Sequence, residues 1–124
     1  MKLLYGILKK SLNIFILSLC LMTTVACNKD EFRTDTVYIF WKEGCSHCHM
    51  AMEFIDKNYP DVKVEKLNLA DKPAIEKLRK AAVKFKIKGN KVFTPFFVVN
   101  NSVLMGWSNS TQEEFKKHME IVVE

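Results

Sequence analysis

Apolar, β-branched and aromatic side chains fill residues 36–41, a pattern that predicts a strand buried on both faces. A second strand is predicted at residues 62–69, where valines alternate with polar residues. A third is predicted at residues 92–100, and Asn100-Asn101 marks a hairpin turn into a partner strand at residues 102–107. The chain is therefore expected to form four strands, the last two joined as a hairpin.

Between these strands, apolar residues recur at the three- and four-residue spacing of helices. The first helix is predicted over residues 50–58. The second begins at Asp71, with Pro73 in its first turn, and extends over residues 71–86. Ser110 and Glu113 have the spacing of a capping box, which predicts the start of the last helix. The predicted order is β-α-β-α-β-β-α, an α/β domain.

A separate apolar segment precedes this domain. Residues 1–26 carry three lysines and no acidic residue, and residues 12–26 are uncharged. This run of 15 residues is shorter than the roughly 20 that a membrane-spanning helix needs, so it predicts a cleaved signal peptide, with an uncleaved anchor as the alternative. Thr24-Val25-Ala26-Cys27 resembles a bacterial lipobox, in which the cysteine becomes the lipidated first residue. We therefore expect lipidation at Cys27, and ordinary signal cleavage nearby is the alternative.

A chain beginning at Cys27 would have 98 residues, which allows one small domain and excludes a multidomain enzyme. Residues 27–35 are mostly polar and are predicted to form a tether, and residues 36–124 are predicted to form the domain. The expected location is outside the cytoplasm, in the periplasm or at the cell exterior, with the membrane as a partner through the lipid anchor.

The net charge of the whole chain, +5, overstates its basic character. Without the leader, 16 basic and 14 acidic side chains remain, a net charge of +2. Arg33 and Arg79 are the only arginines. Because nucleic-acid binding usually needs a basic patch rich in arginine and lysine, we expect no nucleic-acid partner. We also expect the protein to be a monomer.

Position separates the four cysteines into three groups. Cys20 lies in the apolar leader and Cys27 at the predicted processing site, so Cys45 and Cys48 alone remain in the domain. One C-x-x-C pair is too sparse for a small domain held together by disulfides. The pair therefore indicates reactivity or ligand binding.

This pair lies where the first predicted strand meets the first predicted helix. A helix N-terminus presents free backbone N–H groups and the positive end of the helix dipole, and both stabilise a thiolate at Cys45. Cysteines three residues apart can close into a disulfide, so one can attack a substrate disulfide while the other resolves the mixed disulfide. The placement predicts thiol–disulfide exchange.

Residues 36 to about 119 resemble the thioredoxin and glutaredoxin superfamily. The resemblance rests on residues 40–48, Phe-Trp-Lys-Glu-Gly-Cys-Ser-His-Cys, which look like the active-site strand and loop. It rests also on Thr94-Pro95, in the position of the cis-proline loop, and on Gly106 before the last helix. It implies a thioredoxin-like fold, with a central mixed four-stranded sheet flanked by helices.

The resemblance also implies roles for individual residues. Cys45 would be the exposed nucleophile and Cys48 the buried resolving thiol, with proteins as the thiol or disulfide substrates and an unidentified redox partner. The residues expected to contact substrate are Trp41, Ser46, Thr94 and Pro95.

In one respect the sequence departs from thioredoxins. Ile39 stands where thioredoxins place a buried aspartate, so proton transfer at Cys48 would depend on water or Glu43. The glutathione-binding Gly-Gly-x-Asp pattern of glutaredoxins is also absent from residues 107–109. We therefore expect no glutathione dependence, and a glutaredoxin-like reductase that uses a small thiol is the alternative within the fold.

His47 is the third predicted catalytic residue. An imidazole just before the second cysteine can stabilise the Cys45 thiolate, and a stabilised reduced form raises the reduction potential. The Cys-x-His-Cys end of the motif resembles the oxidising disulfide oxidoreductases of the periplasm. The alternative is a solvated histidine with no role.

Two further classes share the same residues. Residues 45–49 match C-x-x-C-H, the attachment signature of c-type haem, with His49 as axial ligand and Met105 or Met119 as the second ligand. The strand-rich surroundings argue against this reading, because small c-type cytochromes are helical. A metal site built from the same short segment would be too crowded for four-coordinate geometry. We therefore expect no cofactor and no metal.

Overall fold

The structure is a computed structural model that describes residues 31–123. The predicted leader, Cys27 and the first residues of the predicted tether lie outside the described residues. In chain order the elements are β1 (Thr36–Trp41), α1 (Ser46–Asn58), β2 (Lys63–Asn68), α2 (Lys72–Lys84), a 3₁₀ turn (Gly89–Lys91), β3 (Phe96–Val99), β4 (Ser102–Met105) and α3 (Asn109–Val122). The predicted order of strands and helices is confirmed.

The four strands form one mixed sheet in the order β2-β1-β3-β4. β1 pairs with β2 in parallel and with β3 in antiparallel direction, and β3 and β4 form the predicted hairpin. Asn100 and Asn101, between β3 and β4, have φ angles of 46° and 57°, the left-handed conformation that the commonest two-residue hairpin turns require. Strand order and directions are those of the thioredoxin-like α/β fold that the sequence predicted.

Helices cover both faces of the sheet. Val37 and Ile39 of β1 belong to the apolar cluster under α1 and α3, whereas Tyr38 and Phe40 belong to the cluster under α2. All four side chains are at most 2% exposed. Successive side chains of a strand point to opposite faces, so burial of the whole run requires a layer on each side of the sheet.

Alanines form the buried face of α2. Ala74 and Ala81 are buried, whereas Ile75, which the apolar spacing places on the buried face, is 36% exposed. The buried face is therefore rotated by about one residue from the expected one. Small side chains let the helix axis approach the sheet closely, and alanine carries too little apolar surface to dominate a hydrophobicity pattern.

Several predicted boundaries are wrong. α2 ends at Lys84, and Lys86 has a positive φ of 56°, which ends the helix. β3 begins at Phe96, because the preceding Pro95 has no N–H to give to a ladder. The last helix is capped by Ser108, whose Oγ accepts the Thr111 backbone N–H at 3.2 Å, and not by Ser110.

The described part of the predicted tether, residues 31–35, packs against the domain. Phe32 is only 5% exposed, and its ring lies 5.1 Å from the Tyr38 ring and 6.3 Å from the Phe85 ring, measured between centroids. The Arg33 backbone N–H donates to the Tyr38 hydroxyl at 2.8 Å. One buried aromatic ring thus holds this otherwise polar stretch against the domain.

Asp35 organises the turn into β1. Its carboxylate accepts hydrogen bonds from the Arg33 guanidinium at 2.9 and 2.8 Å and from the Thr36 hydroxyl at 3.0 Å. The hydrogen bonds from Arg33, followed by the one from Thr36, lower the pKa of Asp35 to about 2. The carboxylate therefore stays ionised at neutral pH and holds the turn between Phe32 and the sheet.

Burial of Phe32 has a measurable consequence. Replacing a buried Phe with Ala typically costs about 3–5 kcal/mol. We expect Phe32→Ala to lower the free energy of unfolding by about 3 kcal/mol in urea titrations. Val83→Ala, on a residue that is 80% exposed, should change it by less than about 0.5 kcal/mol. Equal, small effects of both substitutions would mean that residues 31–35 form a tether that does not pack against the domain.

Candidate active site

The cysteine pair begins where β1 ends. Gly44 has a φ of +76°, in the left-handed region that favours glycine, and it turns the chain from the strand into α1. Cys45 then takes an extended conformation, with φ −87° and ψ 98°, and occupies the N-cap position of α1. The local sequence thus places Cys45 at the positive end of the helix dipole.

Cys45 and Cys48 are joined in a disulfide, with their Cα atoms 5.2 Å apart. The Cys48 backbone N–H points at the Cys45 Sγ, 3.2 Å away. The sulfur therefore takes the place of the oxygen that usually caps a helix. Once the disulfide is reduced, the same N–H group and the helix dipole favour a thiolate at Cys45 over a neutral thiol.

The two sulfurs differ in accessibility. Cys45 is half-buried, whereas Cys48 is 0% exposed and lies in the apolar cluster with Val37 and Ile39. A substrate can reach the outer sulfur and cannot reach the inner one. This asymmetry suits the roles of attacking and resolving cysteine that the sequence predicted.

In the structure, the position at which thioredoxins place a buried aspartate is occupied by Ile39 in apolar surroundings. Ile39 is 0% exposed and shares the cluster of Cys48, and Glu43 is exposed. Among residues 31–123, Thr36 is the only buried polar residue, so no carboxylate is buried beside Cys48 within this part of the chain. A thiol in apolar surroundings prefers its neutral form, which suits the buried member of the pair.

The sheet brings Thr94 and Pro95 to the same edge as the cysteines. Their peptide bond is cis, and Pro95 is buried while Thr94 is half-buried. Phe96, the next residue, pairs with Phe40 of β1, one position before Trp41. The carbonyl of Pro95 accepts the Gly106 N–H at 2.8 Å, which ties this loop to the end of β4.

The surroundings of the cysteine pair also include four polar or aromatic residues, Trp41, Ser46, His47 and His49. Trp41 is half-buried at the end of β1, and its ring lies 5.7 Å from that of His49, centroid to centroid. Ser46 and His47 are exposed, and neither side chain makes a hydrogen bond within residues 31–123. The sequence offered His49 as a haem or metal ligand and did not indicate its contact with Trp41. The available signal was its spacing, one helical turn after Cys45.

The haem and metal readings fit this geometry poorly. A c-type haem bonds both sulfurs as thioethers, and Cys48 would have to leave the core to do so. In the part of the chain that the structure describes, no three His, Cys, Asp or Glu side chains lie close enough together to hold a metal ion.

Among residues 31–123, no helix is long and apolar enough to cross a membrane.

A thioredoxin-like fold, with a disulfide-forming cysteine pair at the start of its first helix, supports a thiol–disulfide oxidoreductase in general terms. Among solved structures, the chain is similar to the crystal structure of a mutant of a thioredoxin-like protein. Sequence identity is 19%, the TM-score is 0.49, and the match covers 67% of this chain and 97% of that chain. No family model and no curated protein matches the chain.

The difference in accessibility predicts different behaviour of two single variants. Cys48→Ala leaves the outer thiol without a resolving partner, so it should accumulate mixed disulfides with substrate proteins. Cys45→Ala should trap none, because the remaining thiol is buried. Non-reducing electrophoresis of protein from cells quenched with acid measures both. Comparable trapping by the two variants would contradict the assignment of the nucleophile.

Proposed function

We propose that this protein is an exported, membrane-tethered thiol–disulfide oxidoreductase that exchanges disulfides with protein cysteines through Cys45 and Cys48. The observation that carries the proposal is the asymmetry of the pair. Cys45 is a half-buried helix cap that accepts an N–H hydrogen bond, and Cys48 lies fully buried behind it. A nucleophile and a resolving thiol need these two environments.

Oxidation of a dithiol substrate proceeds in two exchanges. A substrate thiolate attacks the Cys45 sulfur, the disulfide opens, and the Cys48 sulfur leaves and takes a proton. The second substrate thiolate then attacks the substrate sulfur of the mixed disulfide, and Cys45 leaves as a thiolate stabilised at the helix N-terminus. The substrate gains a disulfide, and a redox partner must remove the two electrons from the protein. Reduction of a substrate is the same sequence in reverse.

Protein substrates suit the apolar side chains that the domain exposes in the segments next to the cysteine pair and to the cis peptide bond. Phe93, next to Thr94, is 64% exposed, and Met50 on α1 is 56% exposed. Trp41 presents its half-buried ring at the same edge. An extended chain can bury these apolar side chains, and we propose that it lies along Thr94 and Pro95 with its cysteine at Cys45. A small thiol is too short to cover them together.

The export and tether parts of the proposal are supported by the leader and by Cys27. An oxidising compartment outside the cytoplasm supplies protein thiols in need of disulfides. The proposed lipid on Cys27 would keep the domain at the membrane surface. Residue 31 is already in contact with the domain, so the connection would be short.

The direction of exchange depends on His47 in this proposal. Its position at the start of α1 has a free backbone N–H, so proline is tolerated there. If the imidazole stabilises the Cys45 thiolate, His47→Pro should lower the reduction potential of the pair by roughly 30 mV, a tenfold change in the exchange equilibrium. Equilibration with glutathione buffers gives the potential. His118→Gln, on α3, is the control that should change nothing.

An unchanged reduction potential in His47→Pro would mean that the histidine has no part in the mechanism.

The stability of the reduced and oxidised forms decides the direction of disulfide exchange independently. An oxidant should be harder to unfold when reduced, because the native state favours its thiolate. A disulfide form that is more stable than the reduced form would assign the protein as a reductase.

The tether has its own test. Mature protein with a lipidated Cys27 should sediment with membranes, and Cys27→Ser should abolish this while disulfide exchange persists. One acyl chain holds a protein only weakly, with an association constant of about 10⁴ M⁻¹, so stable sedimentation implies several chains. Mass spectrometry of the N-terminal peptide identifies the modification. Sedimentation that survives Cys27→Ser would indicate an uncleaved signal instead.

A further inference from the structure

Basic residues are concentrated in one continuous stretch of the chain. Between Lys77 and Gln112 there are seven basic residues and no acidic residue. All seven lie between Lys77 and Lys91, in α2 and the segment after it. Two acidic side chains lie on the same side, where Glu31 pairs with Lys80 at 3.1 Å and Glu76 pairs with Arg79 at 2.9 Å, and the basic residues remain in excess there.

Part of this stretch forms an exposed surface, here called the basic face, made of Arg79, Lys80, Val83, Lys86 and Lys88. Arg79, Lys80 and Val83 line one shallow depression together with Lys84 and with Glu76, the ion-pair partner of Arg79, and Val83 is 80% exposed. The Lys86 N–H donates to the Val83 carbonyl at 3.3 Å, which holds the following segment against the helix end. Lys86 and Lys88 are exposed and have no acidic partner among the described residues.

The chain enters the domain beside this face. The Glu31 carboxylate pairs with Lys80 at 3.1 Å, and the neighbouring Phe32 ring is buried against Phe85 just after α2. Glu31 is four positions after Cys27, and four residues span at most about 14 Å. Cys27 can therefore be no more than about 14 Å from Glu31, which pairs with Lys80 of the basic face.

We propose that the basic face docks onto the anionic lipid headgroups of the membrane that holds Cys27. This inference rests on the proposed lipid tether. Lysines within a Debye length of an anionic bilayer, about 8 Å at physiological salt, are attracted to it, and each favours binding about fivefold. Val83 is the apolar residue that contacts the interface between the lysines. Acidic protein partners share the charge complementarity but do not explain the position of the chain entry.

Docking in this way orients the catalytic pair. The chain enters at the start of β1, and Cys45 follows the other end of that strand. Six strand residues span on the order of 20 Å. The basic face therefore holds the domain with Cys45 pointing away from the bilayer, where a substrate chain can approach it.

The experiment uses the mature protein isolated from membranes, incorporated into vesicles of phosphatidylcholine with or without about 30% phosphatidylglycerol. Acetylation of lysines, followed by mass spectrometry, measures their accessibility. We expect Lys86 and Lys88 to be labelled several-fold more slowly on the anionic vesicles only, with labelling restored in about 0.5 M NaCl. Lys57 and Lys117, exposed on the helices of the opposite layer, should be labelled equally on both. Unchanged labelling of Lys86 and Lys88 would overturn the proposal.

Two matched variants test docking of the basic face separately from anchoring through Cys27. Lys86→Glu/Lys88→Glu should abolish the protection on anionic vesicles, whereas Lys57→Glu/Lys117→Glu has the same charge change and should keep it. Insulin reduction confirms that both variants fold and exchange disulfides. If the protein does not remain on phosphatidylcholine vesicles, the tether proposal fails. The basic face is then tested by salt-sensitive sedimentation with anionic vesicles, which Lys86→Glu/Lys88→Glu should weaken at least tenfold. Equal sedimentation of the two variants would overturn it.

Discussion

Burial of β1 on both faces is the constraint on which the other features depend. Its side chains are in contact with both apolar clusters, so the strand can exist only between the α1/α3 layer and the α2 layer. β2 pairs with one edge of β1 and β3 pairs with the other. The backbone groups of the paired residues are therefore not exposed to solvent. A strand fixed in this way ends at a defined position, Trp41, and the cysteine pair follows four residues later.

The chemistry of the pair comes from two environments a single helical turn apart. Cys45 meets backbone N–H groups and the helix dipole, which favour negative charge on its sulfur. Cys48 meets the apolar cluster, which disfavours charge. Electrostatic stabilisation at one sulfur and burial at the other direct the exchange reaction through Cys45. The same fold places residues 31–35 at the far end of β1, so the start of the described chain and the cysteine pair lie at opposite ends of one strand.

Features that depend on neighbouring residues could be predicted from the sequence. The bounds of β1, the Asn100-Asn101 hairpin turn and the cysteine pair at a strand-to-helix junction follow from β-branched runs, from the tolerance of asparagine for positive φ, and from helix-start signals. The element order followed from these signals together. The thioredoxin-like fold class was implied by the resemblance of residues 40–48 and of Thr94-Pro95 to the thioredoxin and glutaredoxin superfamily, in register with that order.

Features that depend on contacts between distant parts of the chain were decided by the tertiary structure. Phe32 is buried in a polar stretch because α2 and β1 form a site for its ring. Ala74, and not Ile75, faces the sheet because close packing of α2 favours small side chains. Thr94 meets the edge that bears Cys45 because β3 pairs with β1 across more than 50 residues of sequence. The sequence by itself therefore determined the elements and the reactive pair, whereas packing decided which side chains are buried and which meet at the site, since burial is a property of the assembled layers.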